Sequence, residues 1–144
     1  MRSDYLNENS GSTFGLKKKV ERITAARTLT NDDSGKVFML DSAGGAYEIT
    51  LPTASSGEAG VYYKFIVEEE TPTGAITLAA GSAIVSFVMK DAGGDASNST
   101  AGTQVSNIVI GTSAQKADCV ELMFVGGEYV GSALSSINDA VTTS

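Results

Sequence analysis

Apolar and polar residues alternate with a period of two through most of the chain after residue 26, as in β-strands that turn one face toward a core. The pattern is clearest at Val120, Leu122 and Phe124, which are separated by single residues of the opposite face. Gly126 and Gly127 follow and supply the positive φ angles that a two-residue hairpin turn requires. Further strands are predicted at residues 36–41, 47–51, 61–69, 75–80, 83–90 and 105–110.

The predicted strands number eight to nine, and turn-forming residues separate them. Parallel neighbours would need crossover connections, and no helical period of ten or more residues lies between the strands. The sequence therefore predicts an all-β fold, an antiparallel sandwich or barrel of jelly-roll type, over residues 27–132. A chain of 144 residues fits one such domain, which needs no disulfide or metal to fold.

Both ends of the chain lack the strand pattern. Residues 1–26 are predicted to form an extended, flexible N-terminal arm, and residues 133–144 a C-terminal tail. Within the arm, the spacing of Leu16, Val20 and Ile23 also permits a short amphipathic helix. The tail is open to two interpretations, a short helix or a segment that contacts a partner.

Residues 91–104 contain no large apolar side chain and are predicted to form a long loop. Asp91 and Asp95 offer oxygen ligands for calcium, but the spaced carboxylates of an EF-hand loop are missing. A mobile loop without a metal is the preferred interpretation of this segment.

The chain contains no histidine and one cysteine, Cys119. A Ser-His-Asp triad, a histidine-rich zinc site and an internal disulfide are therefore excluded. Cys119 is interpreted as a half-buried apolar residue, because no histidine is present to activate its thiol. The carboxylates fall in predicted turns or on exposed strand faces, so solvated surface charge explains them better than a catalytic pair. The sequence predicts a protein that is not an enzyme and holds no cofactor and no metal.

The net charge of −7 is unevenly distributed along the chain. Residues 1–26 carry five cations and three anions, whereas the remainder carries five cations and fourteen anions. An acidic body of this kind argues against a nucleic acid partner, which needs clustered Lys and Arg. No apolar run approaches the length of a membrane helix, and the first residues lack the apolar core of a secretory signal.

Two stretches of the sequence show a motif in addition to the alternation of apolar and polar residues. The first is residues 28–41, TLTNDDSGKVFMLD, continued by ITLP at residues 49–52 and YKFIV at residues 63–67. The second is residues 120–131, VELMFVGGEYVG. Together they resemble a recurrent pattern of small structural proteins of tailed bacteriophages, in which a tryptophan stands where this chain has Glu128. The resemblance extends from about residue 28 to residue 131 and concerns turns and strands.

Within that family the chain is most similar to capsid cement or decoration proteins, which bind the outer surface of the phage head and stabilise the shell. The resemblance implies the major capsid protein as partner and a homotrimer, with no nucleic acid, membrane or small-molecule substrate. It implies a location on the outside of the capsid in the virion, and in the host cytoplasm during assembly. The arm is the expected capsid contact, through Arg2, Tyr5, Leu6, Phe14, Leu16, Lys17, Lys18, Lys19 and Arg22.

Two other functions remain open at this stage. A receptor- or glycan-binding domain of a tail fibre or tail tip would use the loop at residues 91–104, with tyrosines such as Tyr62 as sugar platforms. A hydrolase with a carboxylate pair is a third possibility. Hundreds of copies per particle would indicate the shell, and a handful would indicate the tail.

Overall fold

The structure is a computed structural model that describes residues 17–53, 55–90 and 100–144. Over these residues the protein is nearly all β, with one 3₁₀ turn at Asn31–Asp33 and no α-helix. The strands are β1 Val20–Ile23, β2 Arg27–Thr28, β3 Val37–Leu40, β4 Tyr47–Thr50, β5 Tyr62–Val67, β6 Ile76–Lys90, β7 Thr100–Ile110, β8 Cys119–Val125, β9 Glu128–Leu134 and β10 Val141–Thr143.

The strands form two mixed sheets that share the long β6–β7 hairpin. The larger sheet has the order β1-β3-β5-β8-β9-β6, and the second half of β6, from Ile84 onward, also pairs with the first part of β7. In the smaller sheet, β2 and β4 lie beside the first half of β6, and β7 and β10 follow on its other side. Gly81 has a φ of +57°, and the register of β6 shifts between Ala79 and Ile84, where this strand passes from one sheet to the other.

Five of the nine strand pairings among the described residues are parallel, so the predicted antiparallel arrangement is wrong. Successive strands alternate between the sheets: β1, β3 and β5 lie in the larger one, and β2 and β4 in the smaller. Four of the five parallel connections therefore run through a single strand of the opposite sheet instead of an α-helix. The described strands form open sheets rather than a closed barrel, and the jelly-roll order receives no support.

One hydrophobic core draws side chains from both sheets. Phe38, Tyr63 and Phe65 of the larger sheet are fully buried and lie within ring-contact distance of one another. Ile49 and Leu78 of the smaller sheet are equally buried. The strand predicted at residues 61–69 is confirmed over Tyr62–Val67. Val61, Tyr63, Phe65 and Val67 are all buried, while the residues between them are partly exposed.

The 118–132 hairpin is confirmed: Gly126 and Gly127 have φ angles of +61° and +95° between β8 and β9. Other boundaries differ from the prediction. Residues 100–104 belong to β7 and not to a loop, whereas residues 91–99, including the calcium candidates, lie outside the described residues. The helical interpretations of the two ends are wrong where the structure describes them, because Val20–Ile23 is β1 and Val141–Thr143 is β10.

Candidate functional site

The predicted capsid-contact residues fall into two groups. Lys17, Lys18, Lys19 and Arg22 belong to the described part of the chain, and all four are exposed. No carboxylate of the described residues forms an ion pair with the three lysines. The remaining predicted contacts lie outside the described residues: Arg2, Tyr5, Leu6, Phe14 and Leu16.

The lysines lead directly into β1, the edge strand of the larger sheet. β1 runs parallel to β3 and continues its hydrogen bonding at both ends: the Val37 amide donates to the Lys19 carbonyl over 2.9 Å, and the Asp41 amide to the Ile23 carbonyl over 3.0 Å. Ile23 is only 3% exposed and belongs to the core. The three exposed cations are therefore attached to a strand that the body of the domain holds in place.

Arg22 differs from the lysines because its guanidinium already has partners. Its Nη2 lies 2.5 Å from Asp41, and its Nε donates to Glu68 over 2.6 Å. The hydrogen bond that Arg22 donates to Glu68, together with the charge of Asp41, raises the pKa of Arg22. A hydrogen bond with Glu69 lowers the pKa of Asp41, and the same bond raises the pKa of Glu69. The charged cluster at the end of β1 thus consists of Arg22, Asp41, Glu68 and Glu69.

A second charged cluster fixes the other side of β1. Arg27 pairs with Glu21 and lies 3.2 Å from Asp33, while Lys36 contacts both of these carboxylates. The Arg27 guanidinium also lies over the Phe38 ring, 5.5 Å from its centroid. The hydrogen bond from Arg27 is the main cause that lowers the pKa of Glu21. These contacts tie β1 to β2 and to the turn before β3.

Several carboxylates in the described part of the chain take part in ion pairs or in hydrogen bonds with backbone amides. No group of three potential metal ligands comes together there. Asp118, which is 5% exposed, is used structurally: its carboxylate accepts hydrogen bonds from the amides of Gln115 and Ser136. Cys119 is a half-buried free thiol, as its position on the face opposite Val120 predicted.

A cleft of about 300 Å³ lies beside β2 and the end of β4. Its lining includes hydroxyl-bearing side chains and Asn31, whose Oδ1 is buried without a hydrogen-bond partner. Tyr62, the sugar platform of the glycan-binding interpretation, does not line this cleft; it is partly buried on the outward side of β5. The loop on which that interpretation also depends lies mostly outside the described residues.

Sequence reasoning missed the Asp41–Glu69 pair and the role of Arg22 as its cation. These residues come from three different strand ends, so only the parallel pairing of β1, β3 and β5 brings them together. Glu68 and Glu69 stand in a run of three acids, which signals charge at a strand end but does not identify a partner.

No protein-family model matches the chain, and the curated proteins contain no significant match to it. No helix within the described ranges is long and apolar enough to cross a membrane.

Proposed function

We propose that the chain is a cement or decoration protein of a tailed-phage head. It binds the outer surface of the shell through the major capsid protein, acts as a homotrimer and catalyses no reaction. Its work requires no cofactor, nucleic acid, membrane or small-molecule substrate. It would be found on the virion surface and, during assembly, in the host cytoplasm.

The observation that carries this proposal is the exposed basic segment at Lys17, Lys18 and Lys19, attached to the edge of a firmly paired sheet. Because no described carboxylate pairs with them, these cations remain available to carboxylates of another protein. Two charged clusters stabilise β1, the strand that directly follows this segment. A contact made by the lysines would therefore hold the sheet directly, because no flexible linker separates the lysines from β1.

The expected binding energy per contact is small, which suits a protein that binds in many copies. An exposed ion pair contributes little by itself, and salt screens it. Linked contacts within a trimer reinforce one another, because the second and third engage at high effective concentration. A protein that binds the intact shell but not its dissociated subunits stabilises that shell by mass action.

The direct test replaces Lys17, Lys18 and Lys19 together by glutamine and measures retention on emptied phage heads by co-sedimentation. Loss of three exposed pairs is expected to weaken binding by about tenfold, with a shallower dependence on salt than in the wild type. A control of equal net charge places glutamate at the exposed positions Thr71, Thr112 and Ser113. This control is expected to bind like the wild type.

The substitutions are preferable to deletion of residues 1–26, which would also remove β1 and the buried Ile23. Retention of the triple glutamine variant at the wild-type level would contradict the role of the lysines. Failure of the wild-type protein to bind heads at all, or a handful of copies per particle, would contradict the proposed function itself.

A further inference from the structure

The outward side of the larger sheet gathers exposed apolar side chains of the described residues. Six of the seven large apolar side chains that are exposed among the described residues lie on it, and only Ile137 does not. We call this surface the outer face: the outward side chains of β1, β3, β5, β8, β9 and of β6 from Phe87 onward. The six exposed apolar residues are Val20, Val88, Met123, Val125, Val130 and Leu134.

The register of the strands places side chains of the outer face in rows that cross the sheet. One row crosses six strands, and its four inner members are apolar while cations stand at both edges. In order across the sheet, this row is Arg22, Met39, Ile66, Cys119, Leu134 and Lys90.

The neighbouring rows continue the same surface. The adjacent row has exposed valines at its two edges, Val20 and Val88, which are 61% and 58% exposed. At its centre the Lys64 ammonium and the Glu121 carboxylate pair over 2.7 Å, so they neutralise each other. The next row places Tyr62, Met123 and Val130 side by side.

The size of the outer face suits contact with a protein. The strand segments of the outer face have four, four, six, seven, seven and four residues, in the order β1, β3, β5, β8, β9 and β6. At about 4.8 Å between strands and about 3.3 Å per residue, they cover roughly 500 Å². Surfaces of a few hundred Å² on which exposed apolar side chains cluster are commonly functional. A stable protein–protein interface uses about 800 Å² per partner. The outer face alone thus supplies about two thirds of that area, and the adjoining lysines would enlarge it.

The charged side chains at the border of the outer face indicate the chemistry of its partner. Lys90 at one edge has no ion pair with a described carboxylate, and Lys17, Lys18 and Lys19 lead into the opposite edge. These four lysines, which have no ion pair with a described carboxylate, therefore stand at the border of this face in a chain of net charge −7. Two copies stacked face to face by a two-fold axis would bring cationic edges against cationic edges, which is unfavourable.

We propose that the outer face docks onto a protein surface with an apolar centre and carboxylates at its border. The inference rests on the proposed function, which makes that surface part of the phage shell. It adds a second contact to the lysine segment and gives the bound protein an orientation: the larger sheet lies toward the shell, and the smaller sheet lies away from it.

The test is a matched pair of substitutions. Val130→Glu places a carboxylate on the outer face beside Met123, whereas Val109→Glu makes the same change on the outward side of β7 in the smaller sheet. Both variants are first shown to retain the wild-type circular dichroism spectrum and urea midpoint. Val130→Glu is expected to bind emptied phage heads at least about tenfold more weakly, because it buries an unpaired charge in the contact. Val109→Glu is expected to bind like the wild type.

Each other outcome overturns the inference in a recognisable way. Equal binding by the two variants and the wild type would show that the outer face is not the contact, while the proposed function would stand. Failure of the wild-type protein to bind heads would remove both proposals. A fall in the mass of the oligomer in Val130→Glu alone, measured by analytical ultracentrifugation without heads, would show that a second copy covers the face.

Discussion

Replacement of Tyr129 by phenylalanine tests how the two sheets are held together. Tyr129 is fully buried on β9 of the larger sheet, and its hydroxyl donates to the carbonyl of Pro52, at the end of β4 in the smaller sheet, over 2.9 Å. Two other tyrosines make the same kind of link between the sheets: Tyr63 donates to the Thr30 carbonyl over 2.8 Å, and Tyr47 to the Ile23 carbonyl over 2.9 Å. Burial raises the pKa of Tyr47 to about 12.

The expected cost of Tyr129→Phe follows from what the substitution removes and what it keeps. The ring stays in place edge-on to Phe124, 4.9 Å between centroids, so little packing is lost. The Pro52 carbonyl loses its buried donor, and an unsatisfied buried acceptor costs about 1–3 kcal/mol. For a domain of this size we expect the melting temperature to fall by about 3–9 °C.

The assay is urea and thermal unfolding followed by circular dichroism, with Tyr62→Phe as the matched control. Tyr62 lies on the outward side of β5 and is partly exposed, so its substitution is expected to change stability by less than about 0.5 kcal/mol. Equal stability of Tyr129→Phe and the control would refute the reasoning, because the hydroxyl would then contribute nothing to the contact between the sheets.

Two further predictions concern backbone fit and pH. A Cβ on Gly131 would lie 2.1 Å from the Glu121 carbonyl oxygen. Gly131→Ala should therefore lower the free energy of unfolding by about 1–3 kcal/mol, measured by urea unfolding. In the control Gly44→Ala the nearest contact of the new Cβ is at 3.9 Å, so no such loss is expected. Burial opposes ionisation of Asp33, but Lys36 and the Thr30 amide outweigh it and hold the pKa of Asp33 below its ordinary 3.8. The stability from this carboxylate is therefore present above pH 3.8 and is lost as the pH falls through the lower folded pKa. Urea midpoints of Asp33→Asn and wild type should differ at neutral pH and converge in acid; a constant difference would contradict this linkage.

The strands were predictable because their inward faces are visible in the sequence. Val61, Tyr63, Phe65 and Val67 alternate without interruption, and burial follows that alternation residue by residue. The pairing was not predictable from the same signal, since a period of two is the same in parallel and antiparallel strands. The absence of helical crossovers suggested antiparallel neighbours, but here strands of the smaller sheet form the crossovers.

The misassigned boundaries have local causes. Gly81 and Ser82 have the composition of a turn, yet the chain continues through them as one strand that changes sheets. Residues 100–104 lack large apolar side chains, so the first part of β7 gave no strand signal, although it pairs with β6. β1 is short, and its single buried residue, Ile23, was equally compatible with a helix.

The candidate site was predictable only in part. The run of Lys17, Lys18 and Lys19 beside a predicted acidic body already indicated a contact segment. Arg22, grouped with these lysines by sequence, is instead paired with Asp41 and Glu68 through long-range strand pairing. The outer face could not be recognised from sequence, because its rows exist only once the register of six strands is known.

The most direct measurement is an electron cryo-microscopy map of the native particle at a resolution that distinguishes the two sheets. The proposed function and the docking inference together place this chain on the outside of the head, with β8 and β9 turned toward the shell and the lysine segment in contact with carboxylates. Density for the chain at the tail, or on the head with the outer face turned toward solvent, would contradict them.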